Sequence, residues 1–137
     1  MDKWILYGKS GNPSVDTSKA FLQNHGIPFE NRSIYQLTYE EIKKMAAIVS
    51  GGAKSITYPT AFSYSLINPQ RSSDAELINE IQHGNMSEEE IINCLAMHPY
   101  LVITPIITNF QEIIIGYQYQ KMMDTFRFVK VKDVTMA

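Results

Sequence analysis

The spacing of apolar residues near the N-terminus predicts a strand, a helix and a second strand. An aromatic-rich apolar run at residues 3–7 is typical of a short buried strand. Pro13 suits the first turn of a helix, where its missing N–H is not needed, and Gly26 is a typical residue just past a helix end. Residues 27–35 alternate well enough for a second strand. Pro28 near the start of this strand favours an edge or entry position.

The middle of the chain is predicted to be mainly helical. A capping box, in which Ser or Thr is followed three residues later by Glu, occurs at Thr38 and again at Ser87. Periodic apolar positions follow both boxes, so we expect one helix ending at the glycine pair 51–52 and another ending at His98. The segment between these helices is expected to be a loop over residues 53–72, where prolines act as breakers, and then a helix over residues 73–83.

Short apolar runs dominate the last third of the chain. They predict three strands, at residues 100–103, 106–108 and 112–115, followed by a helix at residues 117–126 and an alternating tail at 129–134. The complete order is βαβ, several helices, a β-hairpin and a helix. This order predicts a single α/β domain over residues 1–137 with a small mixed β-sheet.

Composition narrows the classes of function. The chain has 137 residues, 45% hydrophobic and 19% charged, as expected of a soluble globular domain. A net charge of -2 argues against unaided binding to nucleic acid. No apolar stretch reaches the roughly 20 residues that a membrane span needs, so we expect a cytoplasmic protein without membrane contact. The single cysteine, Cys94, excludes an internal disulfide and a Cys-x-x-Cys pair, and its helical position indicates a buried small side chain.

The three histidines do not form a metal-binding motif. His25, His83 and His98 each directly precede Gly or Pro at a predicted helix end. Imidazole groups there interact favourably with the helix dipole and can bond to terminal carbonyls. We therefore expect three structural histidines, no metal site and no cofactor.

Several short motifs, in order and at matching spacing, resemble the arsenate reductase ArsC/Spx family, a thioredoxin-like group with a helical insertion. The resemblance covers roughly residues 4–126. It implies a thioredoxin-like fold with a helical insertion at about 38–98 and a C-terminal tail at about 127–137. Lys9 and Gly11 also resemble a nitrogenase-associated branch of the family. The motifs are the Tyr7 strand with its loop and helix, residues 25–29, 37–42, 51–52 and 98–101, Pro105, and residues 115–117.

The chain departs from the family pattern at the positions that carry the family's chemistry. The position of the family's nucleophilic cysteine is Asn12, and the second cysteine of the Spx pair is replaced by Val15. An amide is not a nucleophile. The two arginines that would hold an oxyanion are replaced by Ile103 and Thr104. The resemblance therefore implies a scaffold that has lost both its nucleophile and its anion clamp, with no catalytic residue.

Asn12 has two interpretations. It is a good N-cap before Pro13. It could also use the helix N-terminus to hold an anion or a ligand carboxylate, assisted by Lys9, Ser10 and Ser14.

Pro105 also has two interpretations. It matches the cis-proline that thioredoxin-like folds place beside their active loop, where the family pairs its backbone with an extended substrate. A peptide-binding groove at Thr104 and Pro105 could survive the loss of chemistry, or the proline could be retained for the bend alone.

Five aromatic residues also have two interpretations, as an exposed partner-binding patch or as a cover for the core. These residues are Tyr58, Phe62, Tyr64, Tyr117 and Tyr119.

The resemblance favours a non-catalytic binding or regulatory module. Spx-like proteins bind RNA polymerase through a surface that includes a glycine at the end of the inserted helix, and Gly52 matches that glycine. A basic residue that Spx carries a few positions later is unmatched, since residues 58–60 read Tyr-Pro-Thr. The expected partner is thus a protein, with the RNA polymerase α subunit as the concrete case. The alternatives are an oxidoreductase or transferase that borrows a thiol from glutathione or a partner, and a nitrogenase-associated accessory protein.

Overall fold

The computed structural model describes residues 3–126, apart from the side chains of residues 72 and 73. Its centre is a four-stranded mixed sheet in the order β2-β1-β3-β4. The predicted α/β class with a small mixed sheet is confirmed. The alternating tail predicted at 129–134 lies outside the described residues. The strands are β1 Trp4–Gly8, β2 Phe29–Ser33, β3 Ile106–Thr108 and β4 Ile113–Ile115.

Strand β1 organises the sheet because it pairs on both sides. It runs parallel to β2, with Leu6 opposite Asn31, and antiparallel to β3, with Leu6 opposite Ile107. Strand β4 completes the sheet as an antiparallel neighbour of β3. Strand β2 is an edge strand with no fully buried residue, which confirms the position that Pro28 indicated.

Six α-helices surround this sheet in the described part of the chain. None of the described helices is long and apolar enough to cross a membrane. Both predicted capping boxes are present, at Thr38 and Ser87. The helices are α1 Pro13–Asn24, α2 Tyr39–Ile48, α3 Ala61–Ile67, α4 Ala75–His83, α5 Glu88–Met97 and α6 at residues 119–126.

Successive residues of β1 face opposite sides of the sheet and so belong to two separate cores. Leu6 packs in one apolar cluster with Leu22 of α1 and Phe126 of α6. Its neighbours Ile5 and Tyr7 belong to the other cluster, with residues of α2, α4 and α5. The sheet is therefore a middle layer, with α1 and α6 on one face and the helices between β2 and β3 on the other.

The segment predicted as a loop at residues 53–72 is helical instead. It contains a 3₁₀ turn at Gly52–Ile56, helix α3 at Ala61–Ile67, and a further 3₁₀ turn at Pro69–Asp74. Thr60 caps α3 through a capping box completed by Ser63, in place of the usual Glu or Gln. Pro59 precedes α3 and Pro69 begins the second 3₁₀ turn, so neither proline interrupts a helix. The helix predicted at 73–83 accordingly begins at Ala75.

The strand predicted at residues 100–103 is also wrong. Pro99–Leu101 form a 3₁₀ turn, and Val102 makes a single isolated bridge with Thr57. The run is apolar because Leu101 and Val102 are buried in the core. Proline fixes φ at a value that suits a helical turn, which explains the departure. The last helix, predicted from residue 117, begins at 119 because the turn after Gly116 is longer than expected.

An ionic network fastens α2 to the sheet. The Tyr7 hydroxyl donates to Glu41 Oε2 at 2.7 Å, and Arg32 Nη1 donates to the same oxygen at 2.7 Å. Glu41 also completes the capping box of Thr38. Burial opposes ionisation of Glu41, but the hydrogen bonds from Tyr7 and Thr38 and the charge of Arg32 outweigh it, so the pKa of Glu41 is lowered.

We expect Glu41→Gln to lower the free energy of unfolding by about 2 kcal/mol, because it removes a charge held by two donors. A carboxylate with a depressed pKa in the folded state stabilises the protein above its unfolded-state pKa of about 4.3, and this contribution is lost as the pH falls further. The difference between wild type and variant should therefore shrink below about pH 4. Denaturant unfolding measured across this pH range tests the prediction.

Glu40→Gln is the matched control, because Glu40 lies in the same first turn of α2 and is exposed. It removes the same charge from the helix N-terminus without touching Arg32. Equal losses of stability in the two variants would show that the network contributes nothing beyond the helix dipole.

Candidate functional site

The loop between β1 and α1 ends at Asn12, which is the N-cap of α1. The Asn12 Oδ1 atom accepts a hydrogen bond from the backbone N–H of Ser14 at 3.0 Å. The Asn12 carbonyl accepts the first helical bond, from Val15 N at 3.0 Å. The capping interpretation of Asn12 is confirmed.

The other half of the Asn12 amide reaches a distant part of the chain. Its Nδ2 donates to Thr104 Oγ1 at 3.0 Å and to the Thr104 carbonyl at 3.3 Å. Asn12 is 7% exposed and Thr104 is 6% exposed, so this contact is buried. The Thr104–Pro105 peptide bond is cis, as predicted. The start of α1 and the cis-proline segment are therefore joined through one side chain.

These contacts leave Asn12 little capacity for a ligand. Its carbonyl oxygen serves the helix end, and both hydrogen bonds from its Nδ2 atom go to Thr104. The Ser14 N–H that an anion would need is taken by Asn12 itself. Of the residues predicted to assist an anion, Lys9 and Ser10 lie nearby in the same loop. The geometry therefore favours a structural link over an anion site at Asn12.

Lys9 turns towards the helical layer and contacts the Oδ1 atom of Asn68, a buried residue at the end of α3. Burial, and secondarily the charge of Arg71, lower the pKa of Lys9. The sequence-based interpretation missed Asn68 and Arg71, because both lie in the segment expected to be a loop. Asn after an amphipathic run is a common helix terminus, and this signal could have revealed α3.

Thr104 stands at the position of the second family arginine and makes the buried contact with Asn12. Thr104 lies beside the buried phenol of Tyr58, whose pKa is raised by burial while hydrogen bonding to Thr104 opposes the rise. Its neighbour Ile103 is partly buried and packs against the larger core cluster. These side chains carry no positive charge, so they provide no clamp for an oxyanion.

Gly52 belongs to a different surface from Asn12. It begins a 3₁₀ turn that packs against α2 and α5, and it has a φ of 70°. The Glu88 carboxylate covers it: a Cβ atom at position 52 would lie 2.5 Å from Glu88 Oε2. Glu88 Oε2 accepts a hydrogen bond from Ala53 N at 2.9 Å. The structure does not bring Gly52 together with Asn12 and Thr104.

The remaining candidates occupy separate places in the described part of the chain. Cys94 lies partly buried on α5, where burial and then the charge of Glu80 raise the pKa of its thiol. The histidines stand at the ends of three helices, as predicted, and His25 Nδ1 bonds to the Phe21 carbonyl at 2.9 Å. No group of three His, Cys, Asp or Glu residues within the described range is arranged to hold a metal ion.

The aromatic residues divide between core and surface. Tyr58 and Tyr64 are buried and stack edge to face at 5.8 Å, so they cover the core. Phe62, on the outer face of α3, is 73% exposed. Tyr117 and Tyr119 are also exposed. The interpretation as a cover for the core is therefore confirmed for Tyr58 and Tyr64, whereas partner binding by the three exposed residues stays a prediction.

Comparison with solved structures places the fold among ArsC-type proteins. An ArsC family related protein from Bacteroides fragilis is 20% identical, with a TM-score of 0.67 over 89% of this chain and 96% of that chain. The arsenate reductase from Vibrio cholerae is 15% identical, with a TM-score of 0.67 and the same two coverages. The protein thus has the thioredoxin-like α/β fold of these neighbours.

Sequence comparison finds similarity to a transcriptional regulator. The global transcriptional regulator Spx of Staphylococcus aureus is 24% identical to this chain over 114 residues, which are 82% of this chain and 78% of Spx. Spx of Staphylococcus epidermidis gives the same values. No protein-family model matches the chain. The chain is therefore similar to Spx in sequence and to ArsC-type structures in fold, which is the resemblance that its motifs indicated.

We expect Asn12→Ala to lower the free energy of unfolding by about 2 kcal/mol, because it removes the cap of α1 and leaves Thr104 without its partner. Asn12→Ser keeps a capping oxygen but cannot donate to Thr104, so it should lose about half as much. Denaturant unfolding followed by the fluorescence of Trp4, the single tryptophan, measures both losses. Equal stability of the alanine variant and wild type would contradict the structural link.

Cys94 should react slowly with a thiol reagent such as iodoacetamide at mildly alkaline pH, because its raised pKa lowers the thiolate fraction and the side chain is partly buried. The rate should rise to that of a free cysteine when the protein is unfolded in denaturant. Mass spectrometry of the labelled protein measures both rates. A folded-state rate equal to that of free cysteine would contradict the burial of the thiol.

Proposed function

We propose that this chain is a non-catalytic member of its family and acts as a partner-binding, regulatory module. The observation that carries this proposal is the buried Asn12 amide, which stands at the family's nucleophile position and is hydrogen-bonded at both ends. An amide side chain in this environment acts neither as a nucleophile nor as a general acid or base. Thr104 and Ile103 supply no charge to the same site.

The position of Cys94 supports the proposal. A catalytic thiol requires exposure and a lowered pKa, and Cys94 has a raised pKa on a different element, α5. Cys94 is therefore not placed to replace the missing thiol of the site.

The proposed partner is the C-terminal domain of the RNA polymerase α subunit. Two relatives of the chain are named as global transcriptional regulators. The family resemblance also aligns Gly52 with the glycine of the Spx polymerase surface. Beside Gly52 a groove of about 430 Å³ separates α2 from α5. Its lining combines apolar and charged side chains, namely Ala46, Ala47 and Ile92 with Lys43, Glu88 and Glu89. With two carboxylates against one lysine, this lining suits a partner that presents an apolar side chain next to a basic one.

We expect the full chain to bind this isolated polymerase domain at micromolar concentration, and Gly52→Ala to weaken the binding by about fivefold or more. The added methyl group would displace the Glu88 carboxylate from its hydrogen bond with Ala53. Isothermal titration calorimetry provides the measurement. Failure to bind at micromolar concentration would remove the polymerase version of the proposal.

Gly26→Ala is the matched control. Gly26 also has a positive φ, of 66°, but a Cβ atom there meets nothing within 4 Å. The two variants therefore share the cost of a left-handed alanine and differ in the effect on Glu88. If both weaken binding equally, the loss comes from backbone strain and the surface around Gly52 is not the interface.

A glutathione-dependent enzyme is the competing function, favoured by the proline that the chain retains at position 105 beside the start of α1. We expect no glutathione-dependent reduction of arsenate or of a disulfide, because the Thr104 carbonyl already accepts from Asn12 and no charged clamp stands beside it. A coupled assay of NADPH oxidation with glutathione and glutathione reductase tests this. Turnover by wild type that is abolished in Pro105→Ala would overturn the non-catalytic assignment.

A further inference from the structure

The outer face of α3 is apolar although it is exposed to solvent. Phe62 and Leu66 are 73% and 65% exposed, and Ile67 at the end of the helix is 42% exposed. The buried residue of α3 is Tyr64, which packs into the larger core. A surface helix normally presents polar and charged side chains to water, so α3 reverses the usual pattern.

These exposed side chains form one patch. Phe62 and Leu66 are one helical turn apart and share a face, and Leu66 and Ile67 line the same cleft. Three of the eight large apolar side chains that are exposed in the described part of the chain thus belong to a helix of seven residues. Single exposed apolar residues need no explanation, whereas a contiguous patch indicates an interaction surface.

The cleft at the end of this patch has a volume of about 160 Å³. Leu66 and Ile67 form one wall, and residues 9–13 of the β1–α1 loop form the other. This volume is below the range typical of small-molecule sites. The cleft therefore suits a single anchoring side chain of a larger partner.

Cationic groups border the patch. No charged residue occurs from residue 55 to residue 70, so the charge at this surface comes from its neighbours. The Lys9 ammonium contacts Asn68 at the end of α3, and the Arg71 guanidinium lies 4.3 Å from the centroid of the Tyr100 ring. Burial and the charge of Arg71 lower the pKa of Lys9, so the two cations lie close together.

One carboxylate, that of Asp74, lies near these cations. After burial, the charge of Asp74 is the next largest cause that raises the pKa of Tyr64 and of Tyr100. Neither Lys9 nor Arg71 takes part in a salt bridge among the described residues. The end of α3 thus has two cations against one carboxylate, a balance that favours an acidic partner.

The C-terminal residues of the same chain do not complement this surface. Residues 127–137 contain three basic side chains and one acidic side chain. Their net positive charge would repel Lys9 and Arg71. The complementary occupant is therefore a segment of another protein that carries carboxylates.

We propose that the outer face of α3 docks a short acidic amphipathic segment of a partner protein. Apolar side chains of this segment cover Phe62 and Leu66, and one of them enters the cleft beside Ile67. Its carboxylates approach Lys9 and Arg71. Apolar contacts supply most of the affinity, and the charges select the acidic segment.

This surface differs from the one around Gly52 in place and in charge. Helix α3 packs on α4 and on the turn Pro69–Asp74, whereas the turn that begins at Gly52 packs against α2 and α5. The groove beside Gly52 has two carboxylates against one lysine and suits a basic partner. The two surfaces therefore select partners of opposite charge.

A synthetic peptide of three Glu-Leu-Leu-Glu repeats, acetylated and amidated, serves as the probe. It is titrated into the full chain while NMR follows the backbone amides, and saturable shifts are expected at residues 61–68. Leu66→Ser should weaken binding about tenfold, because it removes an apolar anchor. Lys9→Gln should weaken binding about threefold, because a solvent-exposed charge pair contributes little. Leu66 is exposed, so its replacement should leave the fold intact.

Tyr119→Ser is the matched control. Tyr119 is 54% exposed on α6 and contacts Phe21 of α1, on the opposite face of the sheet from α3. Unchanged peptide binding in this variant would support the proposed face. Equal weakening by Tyr119→Ser and Leu66→Ser would overturn it, as would the absence of saturable shifts at millimolar peptide.

Two further results would also overturn the proposal. A peptide with Lys in place of every Glu that shifts the α3 amides with equal affinity would exclude selection of an acidic segment. A free chain that sediments as a dimer, and as a monomer after Leu66→Ser, would show that a second copy occupies this face. None of these results bears on polymerase binding, so the two proposals fail separately.

Discussion

The contact between Asn12 and Thr104 is the constraint on which the rest of the site depends. A thioredoxin-like fold brings the start of its first helix against a cis-proline segment that is far away in sequence. Polar groups buried at such a junction must find partners, since an unsatisfied one costs about 1–3 kcal/mol. Here one amide satisfies the helix end with its oxygen and the threonine with its nitrogen. In this chain a structural amide therefore fills the position that the family resemblance assigns to a nucleophilic cysteine.

The central strand connects this junction to the rest of the molecule. Alternation along β1 assigns Leu6 to the core under α1, and Ile5 and Tyr7 to the core under the inserted helices. Both cores therefore fix the strand from which the β1–α1 loop emerges. The loop itself makes two polar contacts with distant parts of the chain. The amide of Asn12 contacts Thr104 just before β3, and the ammonium group of Lys9 contacts Asn68 at the end of α3.

Sequence patterns were sufficient where the signal is local. Asn12 before Pro13 and the capping boxes at Thr38 and Ser87 involve residues two or three positions apart, and each forms as expected. The loop expected at 53–72 was wrong because α3 has a capping box ending in serine and prolines just outside its turns. The strand expected at 100–103 was wrong because an apolar run shows burial but not backbone conformation.

Contacts between distant segments could not be read from spacing. Lys9 contacts Asn68 and Asn12 contacts Thr104 across long stretches of chain, and Arg32 of the edge strand contacts Glu41 of α2. The family resemblance predicted the cis peptide bond before Pro105. It supplied nothing about Asn68 or Arg71, whose importance depends on the side chains of this particular chain.

The double use of Glu41 has a consequence for how α2 behaves. One carboxylate closes the first turn of this helix and also receives Arg32 and Tyr7 from the sheet. Initiation of the helix and its attachment to the strands thus become a single cooperative event, and fraying of the first turn would release two strand residues from their partner. Slow amide exchange at the start of α2 should therefore follow that of β1, even though helix ends ordinarily exchange early.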